Sequence, residues 1–434
     1  MTERLYYNDA YLKEFDAAVL ACEPERDAWR VRLDRSAFYP TSGGQPYDTG
    51  TLGGANIVDV YVDKDGEMWH VVDAPLAVGA RVEGRIDWVR RFDHMQQHAG
   101  EHMLAGACWR YFAGHTIGLH LGRDDSSIDV ELPDGRTRLT AEELCALEDD
   151  VNRHIQADVP IRCWFPDAKE LETLPLRKPP AVKEHVRVVR IGDDEFCACG
   201  GTHPSSAGQI GLVKIVDARP SRGKLRLKFV CGMRAFLYFR RMYDAATAAA
   251  GALSTGWESL PEKVEALNAR AKDAEYHLNR ERRERALEGL DALRRGAETV
   301  GSLRVVTHTY DSLPADALRD VASALIEAPD TVALLADRTE TGCLLLFARA
   351  ENVALHVGKL LSEAAKAFGG KGGGRSDFAQ GAAASADAAA FALARIRDGS
   401  AMRRAHVRLK GRPRRKRGAA RGKAPVRSGE GVRR

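Results

Sequence analysis

The chain has 434 residues, 44% of them hydrophobic, and a formal net charge of +4. That length exceeds one ordinary core and predicts two or three domains, and the composition excludes a disordered chain. The longest apolar stretches, 331–335 and 343–348, are strand-sized, which excludes a transmembrane helix and any membrane role. An acid at the third residue, with no apolar run behind it, excludes a signal peptide, so a cytoplasmic protein is expected.

Residues 1–89 read as a β-barrel-like domain. Alternating or β-branched runs occur at 28–33, 56–63, 68–72 and 81–87, and Asp65-Gly66 is a hairpin signal between two of them. Gly43-Gly44, Gly50 and Gly53-Gly54 mark tight turns, and a small barrel closes many short strands naturally. Residues 90–250 read as an α+β domain. Met95, Ala99, Met103 and Ala107 recur at i+4 on a first helix over 90–112. A second starts at Thr140, where Thr140 and Glu143 form a capping box and Leu139 can staple onto Leu144. Strands follow at 186–191, 212–216 and 225–230.

Residues 251–300 read as a helical linker whose Leu260, Val264, Leu267, Ala271, Ala274 and Leu278 step by four and three. This short seam suits a homodimer contact through the C-terminal region or, more simply, an intramolecular hairpin. Residues 301–400 read as a separate α/β domain: strand 304–310, helix 313–326, a hairpin of 331–336 and 343–349, helix 353–368, and a closing alanine-rich helix. Residues 401–434 hold fourteen Lys or Arg against Glu430 alone, a net of +13 that leaves −9 on the first 400. Such a tail is expected to be disordered. It either attracts phosphates through counterion release or is a solvated appendage. The fold class is therefore α+β multidomain.

Eight scattered cysteines, only Cys197 and Cys199 lying close together, argue for metal binding or buried thiols rather than a disulfide scaffold. His98 and His102 are four apart and project from one helix face, a spacing that suits two imidazoles on one metal; alone it is more often an ordinary helical pair. Cys199 and His203 are also four apart, and Gly200-Gly201 between them permits a tight turn. The four together are a complete Cys-His₃ set for tetrahedral zinc. Cys197 is a rival thiol that reads better as a small buried residue. His94, one turn before His98, could compete with it.

The loop Phe38-Tyr39-Pro40-Thr41-Ser42-Gly43-Gly44-Gln45 offers short hydroxyls and close backbone approach to a small amino acid or a terminal ribose, although locally it reads as an ordinary turn. The run Gly369-Gly370-Lys371-Gly372-Gly373-Gly374 is not a nucleotide-binding P-loop. Gly372 follows Lys371 where Ser or Thr is required, and Ala365 stands where the first Gly should be. It reads as a basic turn, with Lys371 and Arg375 as RNA contacts, or as a flexible helix cap.

Three segments, Phe38-Tyr39-Pro40 through Gly43-Gly44-Gln45, Asp48 and Gly50, Gln97-His98 through His102, and Cys199-Gly200-Gly201-Thr202-His203, resemble the editing domain of alanyl-tRNA synthetase and its free-standing relatives, the AlaX proteins. The run 369–375 with Ala379-Gln380-Gly381 resembles the same synthetase's C-terminal, DHH-associated domain, so the resemblance spans about residues 5–400 and best matches the long AlaX form. It implies Zn²⁺ held by His98, His102, Cys199 and His203, with Gly43, Gly44, Gly200, Gly201 and Thr202 around the substrate. The implied partner is tRNA(Ala) mischarged with serine, or with glycine, whose ester is hydrolysed. With no room before residue 1 for an aminoacylation domain, neither alanine activation nor ATP use is expected.

On this reading Gln45 and backbone amides manage the water, while Thr41 and Ser42 hydrogen-bond the seryl hydroxyl. A tension remains between four protein ligands and an open catalytic position, eased if His203 is loosely held or if zinc only shapes the pocket. The alternatives are a non-catalytic, zinc-stabilised tRNA-binding module and editing of another mischarged tRNA. One departure is Ala99, where many relatives carry Thr.

Overall fold

A computed structural model describes residues 1–434 except 181, 183, 400 and 402–434. The basic tail therefore lies outside the described residues, apart from Ala401. The chain forms two compact units that meet in sequence at Trp257 and Glu258. Among the described residues no helix is long and apolar enough to cross a membrane.

In the first unit six strands close a barrel: β1 (Glu14–Glu25), β2 (Ala28–Leu33), β3 (Gly50–Leu52), β4 (Ala55–Val62), β5 (Met68–Val72) and β6 (Arg81–Ile86), in the order β1-β2-β5-β4-β3-β6. The twelve-residue β1 closes it. β1 shifts register between Val19 and Ala21, pairing with β6 before the bulge and mainly with β2 after it. Gly50 lets β3 approach β6, because a Cβ there would lie 2.0 Å from the Arg85 carbonyl oxygen. Phe15, Val31, Leu33, Phe38, Leu52, Val60 and Met68 fill the interior.

His70 sits among them, fully buried, with Nε2 2.7 Å from Ser36 Oγ and Nδ1 3.2 Å from the Val31 carbonyl oxygen. Burial pushes its pKa down from 6.5 to about 4. The native imidazole is thus neutral where the unfolded one takes up a proton. Its contribution to stability is complete above pH 6.5 and is lost as pH falls from 6.5 to 4, by about 3 kcal/mol. Urea unfolding of wild type and His70→Gln across that interval should show the wild type losing about this much more; identical pH slopes would contradict it.

The 25-residue helix α1 (Trp88–Phe112) follows, started by Asp87, whose side chain accepts from the Arg90 backbone N–H. It is buried along most of its length. At Gly100 it packs so tightly that a Cβ would lie 2.3 Å from Cys231 Sγ. Around it stand β7 (His115–Leu121), β8 (Ser126–Glu131), α2 (Ala141–Gln156), β9 (Ile161–Trp164), β10 (Val188–Ile191), β11 (Glu195–Ala198), β12 (Val213–Ser221) and β13 (Lys224–Cys231). They form a four-stranded sheet, β12-β13-β8-β7, and a three-stranded one, β9-β10-β11. The α2 capping box is present as expected, Glu143 N–H donating to Thr140 Oγ1 at 3.2 Å and Thr140 N–H to Glu143 Oε2 at 2.8 Å. Met103, Leu104, Ile128, Leu147, Val151, Leu227 and Phe229 share one core.

Arg91 joins helix to barrel. Its guanidinium and the Asp48 carboxylate are both wholly buried and paired at 2.5 Å, and it also donates to the carbonyls of Ala10 and Ala37 at 2.9 and 2.5 Å. Asp48 in turn accepts from the Tyr39 backbone N–H at 2.6 Å, which fixes the start of the 38–45 loop. The unit ends in α3 (Gly232–Ala252), a helix the sequence reading did not anticipate.

The second unit begins with α4 (Leu260–Glu288) and α5 (Leu290–Arg295), so the helical linker expected over 251–300 is broken at Gly289. Val264, Leu267 and Leu278 of the expected seam are exposed. A six-stranded sheet follows, made of β14 (Glu298–Val300), β15 (Leu303–Asp311), β16 (Thr331–Thr339), β17 (Gly342–Arg349), β18 (Lys371–Gly374) and β19 (Phe378–Ala383), in the order β14-β15-β16-β17-β19-β18. Only β15 and β16 run parallel, connected by α6 (Ala315–Ile326); α7 (Val357–Ala367) and α8 (Asp387–Arg397) complete the unit.

The glycine run, read as a turn or a flexible helix cap, is instead the edge strand β18. A Cβ on Gly372 would lie 2.3 Å from Leu361 Cδ2 and 2.7 Å from Gly381 Cα, and one on Gly374 2.5 Å from Ala379 Cα. The glycines permit close packing on α7 and β19. Lys371 is exposed at one end of this strand; beyond the other, exposed Arg375 pairs with Asp377 at 3.3 Å.

Candidate metal centre and its cavity

His98 and His102, one turn apart on α1, meet Cys199 and His203 from the turn after β11. One nitrogen or sulfur from each lies within 4.8 Å of all the others. Cys199 Sγ is 3.4 Å from both His98 Nε2 and His203 Nε2. Burial lowers the pKa of all three imidazoles, His98 to about 3, and so holds them in the neutral form that ligates metals. Burial likewise pushes the Cys199 thiol up to about 12, a penalty that a cation in the cluster would reverse. Both ring nitrogens of His102 and Nδ1 of His203 are buried with no hydrogen-bond partner. Orphaned buried nitrogens need an explanation, and a metal ion with nitrogen and sulfur ligands fits these residues.

The surrounding shell comes from distant elements. Gln45 is fully buried and uses both ends of its amide. Oε1 accepts from His98 Nδ1 at 2.8 Å and from the Thr202 backbone N–H at 3.2 Å, and Nε2 donates to Thr202 Oγ1 at 2.8 Å. Gly201 must be glycine, since a Cβ would meet His98 Cε1 at 2.2 Å. The buried Arg187 clamps the turn by donating to the carbonyls of Cys199 at 3.1 Å and Gly201 at 2.8 Å. Glu195 Oε1 lies 4.0 Å from His102 Nδ1 and 3.0 Å from Arg177 Nε. Its carboxylate fills a notch left by Gly106, where a Cβ would come within 2.4 Å of Oε2. Cys197 is buried on β11, and with Glu195 and His102 it makes a second potential ligand group that shares one imidazole. His94 is not in either cluster.

The centre opens into a cavity of about 360 Å³, walled by Tyr39, Ser42, Gly43, Ile117, Gly200 and the buried, Glu195-paired Arg177, and lined also by the exposed Lys178. Glu101 lines its floor, with its pKa pushed up to about 7 by burial. Thr41 does not reach this cavity; its hydroxyl accepts from the Tyr47 backbone N–H at 3.2 Å. Gly44 adopts φ +86° beneath Leu119, whose carbonyl oxygen a Cβ would approach to 2.7 Å. Thr202 is buried against Gln45 rather than facing the cavity. Glu101, Arg177, Arg187 and Glu195 were missed from sequence. Only Glu101, inside the His98-to-His102 turn, carried a local signal.

Residues 186–227 match the threonyl and alanyl tRNA synthetase second additional domain, and residues 302–399 match the DHHA1 domain. A barrel, a His₃Cys centre and these two domains together define an editing module of the alanyl-tRNA synthetase type. The alanyl-tRNA editing protein AlaX-L of Pyrococcus horikoshii is 32% identical over 394 residues, which cover 88% of this chain and 94% of that protein. The chain belongs to the AlaX family of alanyl-tRNA editing proteins. It is also 33% identical to the alanine–tRNA ligase of Pyrococcus abyssi and 34% identical to that of Archaeoglobus fulgidus, over 88% of this chain and 42% of each ligase. It thus spans about two fifths of the ligases it matches.

Proposed function

We propose that this chain is an aminoacyl-tRNA deacylase that hydrolyses the ester of serine, or of glycine, wrongly attached to tRNA(Ala). The convergence of four nitrogen and sulfur side chains on a small cavity carries this reading, together with the match to AlaX-L along nearly its whole length. The cavity lies at the small end of ligand sites, the scale of one aminoacyl group and a ribose.

Zn²⁺ is the ion that suits His98, His102, Cys199 and His203, and it would supply a Lewis acid to polarise the ester or its water. Gln45 is a positioning residue, because neither end of its amide is free to handle water. It fixes the His98 ring and the Thr202 backbone. Ser42 is the hydroxyl placed to recognise the seryl side chain, whereas Thr41 shapes its turn. Lys371 and Arg375 remain proposed RNA contacts, on exposed edge positions of the second unit. Four protein ligands also suit a purely structural metal, which keeps the non-catalytic tRNA-binding module as the second reading.

Incubation with Ser-, Gly- and Ala-charged tRNA(Ala), before and after metal removal, tests both. Release of serine or glycine with alanine spared is expected. A folded, metal-loaded protein that binds tRNA and releases nothing would favour the second reading. Serine release from any tRNA body would instead show that tRNA(Ala) is not the specific partner.

Glu195 should matter to the metal itself. Its carboxylate lies 4.0 Å from His102 Nδ1, and outer partners of a ligating imidazole tune affinity by about 10–100-fold. Glu195→Ala is expected to weaken zinc by about that factor in chelator competition, and Glu195→Gln by much less. Equal zinc affinity in wild type and Glu195→Ala would remove this role.

A further inference from the structure

A second groove, of about 680 Å³, adjoins the same turn as the cavity. Pro46 lines the groove while Ser42 and Gly43 line the cavity; Leu121 and Gly122 extend the strand whose Thr116–Leu119 segment borders the cavity. His94 lies on its wall, one helical turn before His98, an axial rise of about 6 Å. None of the metal ligands lines this groove.

Its chemistry is specific. Trp88 and Phe92 stack, with centroids 5.5 Å apart and planes at 28°. The Lys13 ammonium sits 4.7 Å from the Trp88 ring centroid. Arg90 is held by donating to the Tyr47 carbonyl at 3.0 Å, and Arg123 is exposed; among the described residues neither is ion-paired. Arg234, by contrast, is neutralised by Asp93 at 2.5 Å. His94 is 97% buried, and its Nδ1 has no hydrogen-bond partner.

Flat aromatic surface, and two free guanidinium groups against the single remaining carboxylate of Asp87, are two elements that hold an unpaired nucleotide: a platform for the base and cations for the phosphate. An apolar peptide would use the platform but leave the charge unanswered.

We propose that this groove binds the unpaired nucleotide immediately preceding the esterified one, with its base against Trp88 and Phe92 and its phosphate at Arg123 and Arg90. The proposal rests on the deacylase reading, which places the esterified ribose in the adjoining cavity. A one-turn offset along α1 is on the scale of one nucleotide step. The groove would let the enzyme grip the single-stranded RNA end without contributing to the ester's chemistry.

The test compares two substrates, serylated tRNA(Ala) and serylated adenosine alone, for wild type, Arg123→Glu and Trp88→Leu. Arg123→Glu alters an exposed, unpaired side chain, so it should fold even where Trp88→Leu does not. Both variants are expected to raise KM for the tRNA about tenfold with kcat unchanged, and to leave seryl-adenosine hydrolysis unchanged. Unaltered tRNA kinetics in the folded variants, or an equal loss on both substrates, would overturn the proposal while leaving the deacylase intact. If the wild type hydrolyses neither substrate, the deacylase reading fails instead. Binding of an uncharged acceptor minihelix with its single-stranded end then decides for the groove: a tenfold weaker complex with Arg123→Glu supports it, and equal affinity overturns it.

Discussion

Cys199→Ala is expected to release the metal and to reduce ester hydrolysis by about 100-fold or more. The thiol is the only sulfur in the four-residue cluster, and its Sγ lies 3.4 Å from two of the three imidazoles. Without it three neutral rings share a buried site with no anionic ligand. Loss of a mere outer partner already costs about 10–100-fold in affinity or activity, and removal of a ligand costs more. Metal content by atomic emission and deacylation on one preparation check this together. Cys197→Ala is the control: Cys197 can take part only in the second grouping with Glu195 and His102, so it should retain the metal. Loss of metal from Cys197→Ala but not from Cys199→Ala would mean that the ion occupies that second grouping.

The largest effect on stability is expected at Asp48. Asp48→Ala leaves the Arg91 guanidinium wholly buried, with only carbonyl oxygens for partners. Breaking one side of a buried pair costs about 3–5 kcal/mol, a large fraction of a domain's stability of about 5–15 kcal/mol. The substitution also removes the acceptor of the Tyr39 N–H and so loosens the loop that delivers Ser42 and Gln45. Urea unfolding should show a marked drop in midpoint. The double replacement Asp48→Leu with Arg91→Met should recover part of the loss, because no bare charge remains. A single-variant cost below about 1 kcal/mol would mean that water or a shift of the helix relieves the charge.

Local chemistry was legible in the sequence, and long-range chemistry was not. The four-residue spacings of His98 with His102 and of Cys199 with His203 are helix and turn geometry, which neighbours in sequence determine. The role of Gln45 depends on Thr202, 157 residues away, and no local pattern reveals that both ends of its amide are occupied. Arg187, just before β10, and Glu195, at the start of β11, are single charged residues, indistinguishable in sequence from surface ones. The barrel's short strands announced themselves by alternation, but the bulge after Val19 broke the pattern of β1. The helix α3 escaped because Met233, Phe236, Leu237, Phe239 and Met242 surround it without a single apolar stripe, and its N-terminus has no side-chain cap. In the glycine run, intrinsic flexibility suggested a turn where the crowding of Leu361 and Gly381 selects a strand.

The sulfur and the first imidazole of the centre lie 101 residues apart in the chain, with α2 and strands of both sheets between them. Chains with such distant pairings fold slowly, because loop closure precedes any reward. On the ribosome the helix carrying His98 and His102 emerges long before Cys199 and His203, so a nascent chain can present only half a binding site. A metal would therefore be captured only after Cys199 and His203 have emerged, and a product truncated before them would carry half a site.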